Sequence, residues 1–128
     1  VSGPIWIDER DALALHDRLL ALEGGAGGVR DAGLLESALA RPRQLYACDK
    51  RDVVGIAAAY MAGIARNHPF TDGDKRTGFV IGVLFLELNG YRFTATEESA
   101  AQTVMSLAAG ALDESALAAW MRANTKRR

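Results

Sequence analysis

The chain has 128 residues, 49% of them hydrophobic, which suits one domain around one core. Lys and Arg total 15 against 16 Asp and Glu, a net charge of −1, so the overall balance gives no support for non-specific nucleic-acid binding. One cysteine, Cys48, excludes an intramolecular disulfide and a cysteine-based zinc site and suits a reducing compartment; no apolar run reaches the ~20 residues of a membrane span, and Val1 to Asp11 shows no basic-then-apolar leader, so the expectation is a cytoplasmic protein.

Ile5-Trp6-Ile7 is a short apolar, strand-like arm. Asp8 then caps a helix over about residues 9–22, with Leu13, Leu15, Leu19, Leu20 and Leu22 on its buried side. Glu23 to Gly28 contains four glycines and reads as a flexible connection; no Gly-Lys-Ser/Thr follows to make it a phosphate loop. Asp31 caps a second helix to about Ala40, buried through Leu34, Leu35, Ala38 and Leu39. Arg41 to Lys50 reads as irregular, broken at Pro42, with Leu45 and Tyr46 between charged residues. A third helix spans about Asp52 to Asn67, with Val53, Ile56, Ala57, Tyr60, Met61 and Ile64 at helical spacing.

Pro69 to Asp74 is a turn-like break before a fourth helix over about residues 75–89. Phe79, Val80, Ile81, Val83, Leu84, Phe85, Leu86 and Leu88 cover that helix all round, which marks it as the enclosed central helix. Gly78 and Gly82 lie one turn apart and admit a neighbouring helix; Gly90 suits the left-handed position after it. Tyr91 to Phe93 is an extended link. Thr96, or Thr94 with Glu97 as a capping box, opens a fifth helix to about Ala109. Asp113 caps a last helix to about Ala123 that buries Leu117 and Trp120, and Lys126-Arg127-Arg128 reads as a solvated, frayed end. The expectation is a single all-α domain, residues 1–128, of about six helices with short links.

The stretch from Arg66 to Gly78 carries the chemistry. It lies where a helix begins, and a helix start offers unpaired backbone N–H groups with a partial positive charge. Gly73 lets the backbone approach a bound group closely, and Lys75 and Arg76 add two full positive charges, which together make a site for phosphates. Asp72 is a hard oxygen ligand of the kind a magnesium–phosphate site uses, and the His68 imidazole can act as general base. A base, a metal carboxylate and a phosphate cradle so close together suit phosphoryl or nucleotidyl transfer. Taken singly, each residue has a plainer reading: Asp72 or Asp74 as a helix cap, Lys75 and Arg76 as exposed first-turn residues, His68 as a hydrogen-bonded helix end.

The run His68-Pro69-Phe70-Thr71-Asp72-Gly73-Asp74-Lys75-Arg76 resembles the Fic-superfamily signature His-Pro-Phe-x-(Asp/Glu)-Gly-Asn-(Gly/Lys)-Arg, and Lys75-Arg76-Thr77 is similar to its Doc (death-on-curing) branch. The likeness extends over most of the chain, through Leu15-His16-Asp17, Asp31 to Arg41 and Phe85 to Gly90. It implies a Fido-type fold with a short flap, ATP as co-substrate and Mg2+. It also implies roles by position: His68 as base, Asp72 on the metal, and Gly73 and its neighbours presenting N–H groups. Lys75 and Arg76 would sit on the phosphates, and Phe70 would anchor the loop. Arg66 matches the Doc pattern without an assigned role. Arg41 to Lys50, with Tyr46, is placed like the family's target-aligning flap, which works by strand addition; Tyr46 reads equally well as a half-buried loop aromatic.

Two departures matter. Nucleotide-transferring members carry a second arginine three residues after the first, and here that position is Phe79, which favours the Doc reading. That reading implies a type II toxin passing the gamma-phosphate of ATP to a translation factor such as elongation factor Tu. The second departure is Asp74 at the usual Asn of the phosphate cradle. A carboxylate ~5 Å from a phosphate charge meets a repulsion of about 3 kcal/mol at an effective dielectric of ~20, roughly two powers of ten in affinity. Binding of magnesium or protonation would relieve it. An AMP transferase and a catalytically silent binding module are therefore the alternatives to the kinase. The family's inhibitory Ser/Thr-x-x-x-Glu-Gly/Asn pattern is missing, since Leu19 stands four residues before Glu23. An outside inhibitor is expected, resembling a Phd-type antitoxin whose C-terminal segment folds on the toxin.

Overall fold

In the computed structural model, which describes residues 3–128, six helices and one small antiparallel sheet follow in the order α1 (Glu9–Glu23), α2 (Ala32–Asp49), α3 (Val53–Asn67), α4 (Asp74–Leu88), β1 (Tyr91–Phe93), α5 (Glu97–Ala108), α6 (Glu114–Ala123) and β2 (Thr125–Arg127). Five of the helices start at a capping side chain. Asp8, Asp31, Asp52, Thr96 and Asp113 accept the backbone N–H of Asp11, Leu34, Gly55, Ser99 and Ala116. Helix α4 starts at Gly73 in the left-handed region and has no side-chain cap.

The enclosed helix is α3, not α4. Every residue from Val54 to Ala65 is buried, and α2, α4, α5 and α6 all pack against it. Its small residues, such as Gly55, Ala58, Ala62 and Gly63, let four neighbours come close. Helix α4 leaves Phe79, Val80, Val83 and Leu84 half-buried. Its glycines are where it meets α3: a Cβ on Gly82 would stand 2.5 Å from Met61 Cγ and 2.9 Å from the Ala57 carbonyl, and one on Gly78 would stand 3.2 Å from the Met61 carbonyl.

Residues 41–49 are helical, which corrects both the irregular segment and the flap expected there. Helix α2 runs through Pro42 to Asp49. Leu35, Ala38, Leu39 and the Pro42 ring form one buried stripe, and Leu45 continues it against the core. Packing of that stripe on α3 holds the helix although Pro42 donates no N–H. Tyr46 lies on this helix, its ring edge-on to Trp6 with centroids 5.6 Å apart.

The chain end also differs from expectation. Thr125–Arg127 pairs antiparallel with Tyr91–Phe93, with Arg92 opposite Lys126. At the other end the Ile5 arm forms no strand; the Asn89 side chain accepts the Ile5 N–H at 2.7 Å and donates to its carbonyl at 2.9 Å. No described helix is long and apolar enough to cross a membrane.

Candidate active site

The loop from His68 to Gly73 joins the C-terminus of α3 to the N-terminus of α4, and neighbouring segments hold each of its ends. His68 ends α3 in the left-handed region, at φ 49° and ψ 54°, a conformation uncommon outside glycine but tolerated by histidine. Arg30 fixes this corner. Its Nε donates to the His68 carbonyl at 2.7 Å and its Nη2 to the Asn67 carbonyl at 3.0 Å, satisfying the end of the helix. The Arg30 and Asp31 N–H groups both donate to the Pro69 carbonyl, and the Thr71 N–H donates to Gly28. The glycine-rich connection is therefore bonded to the motif loop through a Val29–Phe70 bridge rather than hanging free of it.

Below the loop, Phe70 is 1% exposed and its ring stacks on that of His16, with centroids 3.8 Å apart and 9° between planes. Nε2 of His16 lies 2.7 Å from the Asp72 carbonyl, which can only accept, so that nitrogen carries the proton and donates. His16 and Arg30 both shape the loop, and neither was assigned a function from sequence. The trace left by His16 is a histidine among the leucines of α1; Arg30 leaves none.

The predicted site residues converge on one hollow of about 430 Å³, lined by His68, Thr71, Asp72, Gly73, Asp74, Lys75, Arg76 and Val104. His68 is 55% exposed there. Gly73, at φ 79°, turns the chain into α4, and its N–H donates to Oδ1 of Asp72. The first-turn N–H groups of α4 face no capping side chain. Lys75 is exposed and has no ion pair among the described residues. Nη1 of Arg76 is 3.1 Å from Glu23 Oε2 at the end of α1. Asp74 is 8% exposed; its Oδ1 accepts the Phe70 N–H at 2.8 Å, and its Oδ2 lies 3.6 Å from His68 Nδ1, beyond hydrogen-bond length. Tyr46 is not among the residues lining this hollow.

Among the described residues no three His, Cys, Asp or Glu side chains converge into a metal cage. Asp72 is the carboxylate at the rim of the hollow that could contribute one ligand to a Mg2+ ion otherwise held by phosphates and water. The glycine-rich connection packs against this carboxylate: a Cβ on Gly25 would stand 2.7 Å from Oδ2, and the Ala26 N–H donates to the same oxygen at 3.4 Å.

Fold and site together define an all-α domain that brings a histidine and two basic residues to an uncapped helix start, the arrangement of an anion-handling loop. More particularly, the chain belongs to the Fic/DOC family, whose model matches residues 6–86. It is 32% identical over 117 residues to a protein of Escherichia phage P1 named "Protein kinase doc", covering 91% of this chain and 92% of that one. It is 42% identical over 92 residues to "Toxin Doc" of Mycolicibacterium smegmatis, covering 70% and 68%.

Proposed function

We propose that the chain is the toxin of a toxin–antitoxin pair and transfers the terminal phosphate of ATP to a hydroxyl of a protein, in the cytoplasm. The observation that carries this reading is that His68 and Lys75 stand around the one helix start without a capping side chain among the described residues. The relatives named a protein kinase and a toxin support it. The first-turn N–H groups of α4 and the Lys75 ammonium bind phosphate oxygens, and Arg76 joins them when it leaves Glu23. Asp72 would hold Mg2+, which supplies neutralising charge at the phosphates when bound. Nδ1 of His68 is turned toward Asp74, so Nε2 takes the proton of the acceptor hydroxyl. As that O–H bond breaks, the oxygen bonds to the terminal phosphorus; the bond from phosphorus to the bridging oxygen breaks, and ADP leaves. Phe79 supplies no charge where an AMP-transferring site uses a second arginine; its ring packs edge-on to Phe93.

The acceptor in this reading is a translation factor such as elongation factor Tu, and the partner is a Phd-type antitoxin. A groove of about 390 Å³ between α1, α4 and α5, lined by Leu19, Phe79, Val80 and the 71%-exposed Met105, shares Arg76 and Val104 with the phosphate hollow. An antitoxin segment folded there would lie beside the site.

Elongation factor Tu incubated with the protein and Mg-ATP labelled on the alpha or the gamma phosphate tests the reaction. Gamma label is expected on the factor, and His68→Ala is expected to lower its transfer by about 10²–10⁴ while retaining ATP binding. Alpha label alone would establish AMP transfer instead. Absence of ATP binding by calorimetry would make the protein a silent module.

A further inference from the structure

Three hollows around α3 share lining residues. The phosphate hollow reaches His68. A second, of about 360 Å³, starts at His68 and passes Ala65 and Leu112 to Arg66 and Glu114. A third, of about 590 Å³, starts at Arg66 and Glu114 and continues past Arg41 and Arg51 to Arg122. The second and third share Arg66, Asp113 and Glu114, and together they form a trough lined by the imidazole at one end and by four guanidinium groups at the other.

Four arginines line the guanidinium end, and carboxylates lie among and beside them. Two carboxylates line it, those of Asp113 and Glu114, and Asp113 is committed to the Ala116 N–H as a helix cap. Glu114 is shared by three arginines. Both its oxygens accept from Arg41, at 2.8 and 3.0 Å; Oε2 also accepts from Arg51 at 2.6 Å, and Arg66 stands off at 3.7 Å with 60% of its side chain exposed. Arg122 pairs with Asp52 at 2.9 Å and Arg51 approaches Asp49 at 3.9 Å, both at the surface, where such pairs exchange readily for an incoming anion. The bidentate grip on Glu114 shows what these arginines fit: a carboxylate.

We propose that this trough docks the acceptor protein and takes an acidic segment of it, the hydroxyl lying at His68 and carboxylates of the same segment lying among Arg66, Arg51 and Arg122. The proposal rests on the reading of His68 as base for a protein acceptor. It supplies the approach that residues 41–49 do not: their backbone is helical and has no strand edge to which a peptide could add. It also brings the acceptor to His68 from the side that the phosphates do not occupy.

The test is peptide binding by fluorescence anisotropy, without nucleotide or magnesium. One synthetic peptide carries a threonine followed by a run of glutamates; its counterpart carries glutamines. The glutamate peptide is expected to bind about tenfold more tightly at low salt and to lose that advantage as salt rises. The double variant Arg66→Glu, Arg122→Glu is expected to abolish the preference, and Arg122→Gln to reduce it, with circular dichroism checking each fold. Should the double variant fail to fold, Arg122→Gln decides. Equal affinity for the two peptides, an undiminished preference in a folded variant, or tighter binding of a single-stranded oligonucleotide of equal charge would overturn the proposal. Peptide preference without phosphate transfer would sink the transferase reading alone, and transfer without peptide preference would sink the docking surface alone.

Discussion

Asp74 places a carboxyl group in the hollow proposed to take phosphates, yet the carboxylate is drawn inward, with one oxygen on the Phe70 N–H. Asn retains that acceptor through its amide oxygen, so Asp74→Asn keeps the loop and removes the charge. ATP affinity is expected to rise, by at most about a hundredfold, in calorimetry with Mg2+. Glu23 acts on the same hollow from outside by holding Arg76. Glu23→Ala frees the guanidinium, and because this pair is 37% and 47% exposed the expected gain in ATP affinity is only about two- to fivefold, vanishing at high salt. The signature residues were legible in the sequence because they are contiguous: His68, Asp72, Gly73, Lys75 and Arg76 all line one hollow. Arg30 and His16 were not. Their contacts with the loop span 38 and 56 positions, and nothing in local spacing reports them.

At the scale of elements, the α3–α4 contact sets the direction in which the loop points. Gly82→Ala would drive a methyl group into Met61 and the Ala57 carbonyl, with no flexible side chain to yield on the carbonyl side. A loss of about 2–3 kcal/mol is expected in urea unfolding, with a smaller loss for Gly78→Ala. Helix existence was readable from caps and periodicity: Asp8, Asp31 and Asp113 cap where expected, Thr96 is the one of two candidate caps that does so, and Asp52, read as the first residue of its helix, caps it instead. Two elements were misread for physical reasons. Pro42 looked like a stop, but the stripe through Leu35, Ala38, Leu39 and Leu45 continues past it, and tertiary packing outweighs one lost hydrogen bond. The bulk of the α4 side chains looked like burial, whereas the small side chains of α3 allow the closer enclosure.

For the whole molecule, Glu114 ties α6 to α2 and to the loop before α3. Burial opposes its ionisation, but the Arg41 and Arg51 guanidiniums outweigh burial and hold its carboxyl below the ordinary glutamate value of 4.5. The folded chain thus favours the ionised form more than the unfolded chain does. The resulting stability is complete above about pH 4.5 and is lost as the pH falls through the lower folded value. Glu114→Gln is expected to lower stability near neutral pH by about 1–3 kcal/mol and to flatten the acid limb of an unfolding profile followed by circular dichroism. The paired Tyr91–Phe93 and Thr125–Arg127 strands escaped notice because three residues are too few to display alternation. The grip of Arg30 on the last turn of α3 bears on engineering. Grafting residues 66–78 onto a foreign helical scaffold would import the letters of the motif without its posture, so a working transplant has to bring along a guanidinium from a distant part of the chain.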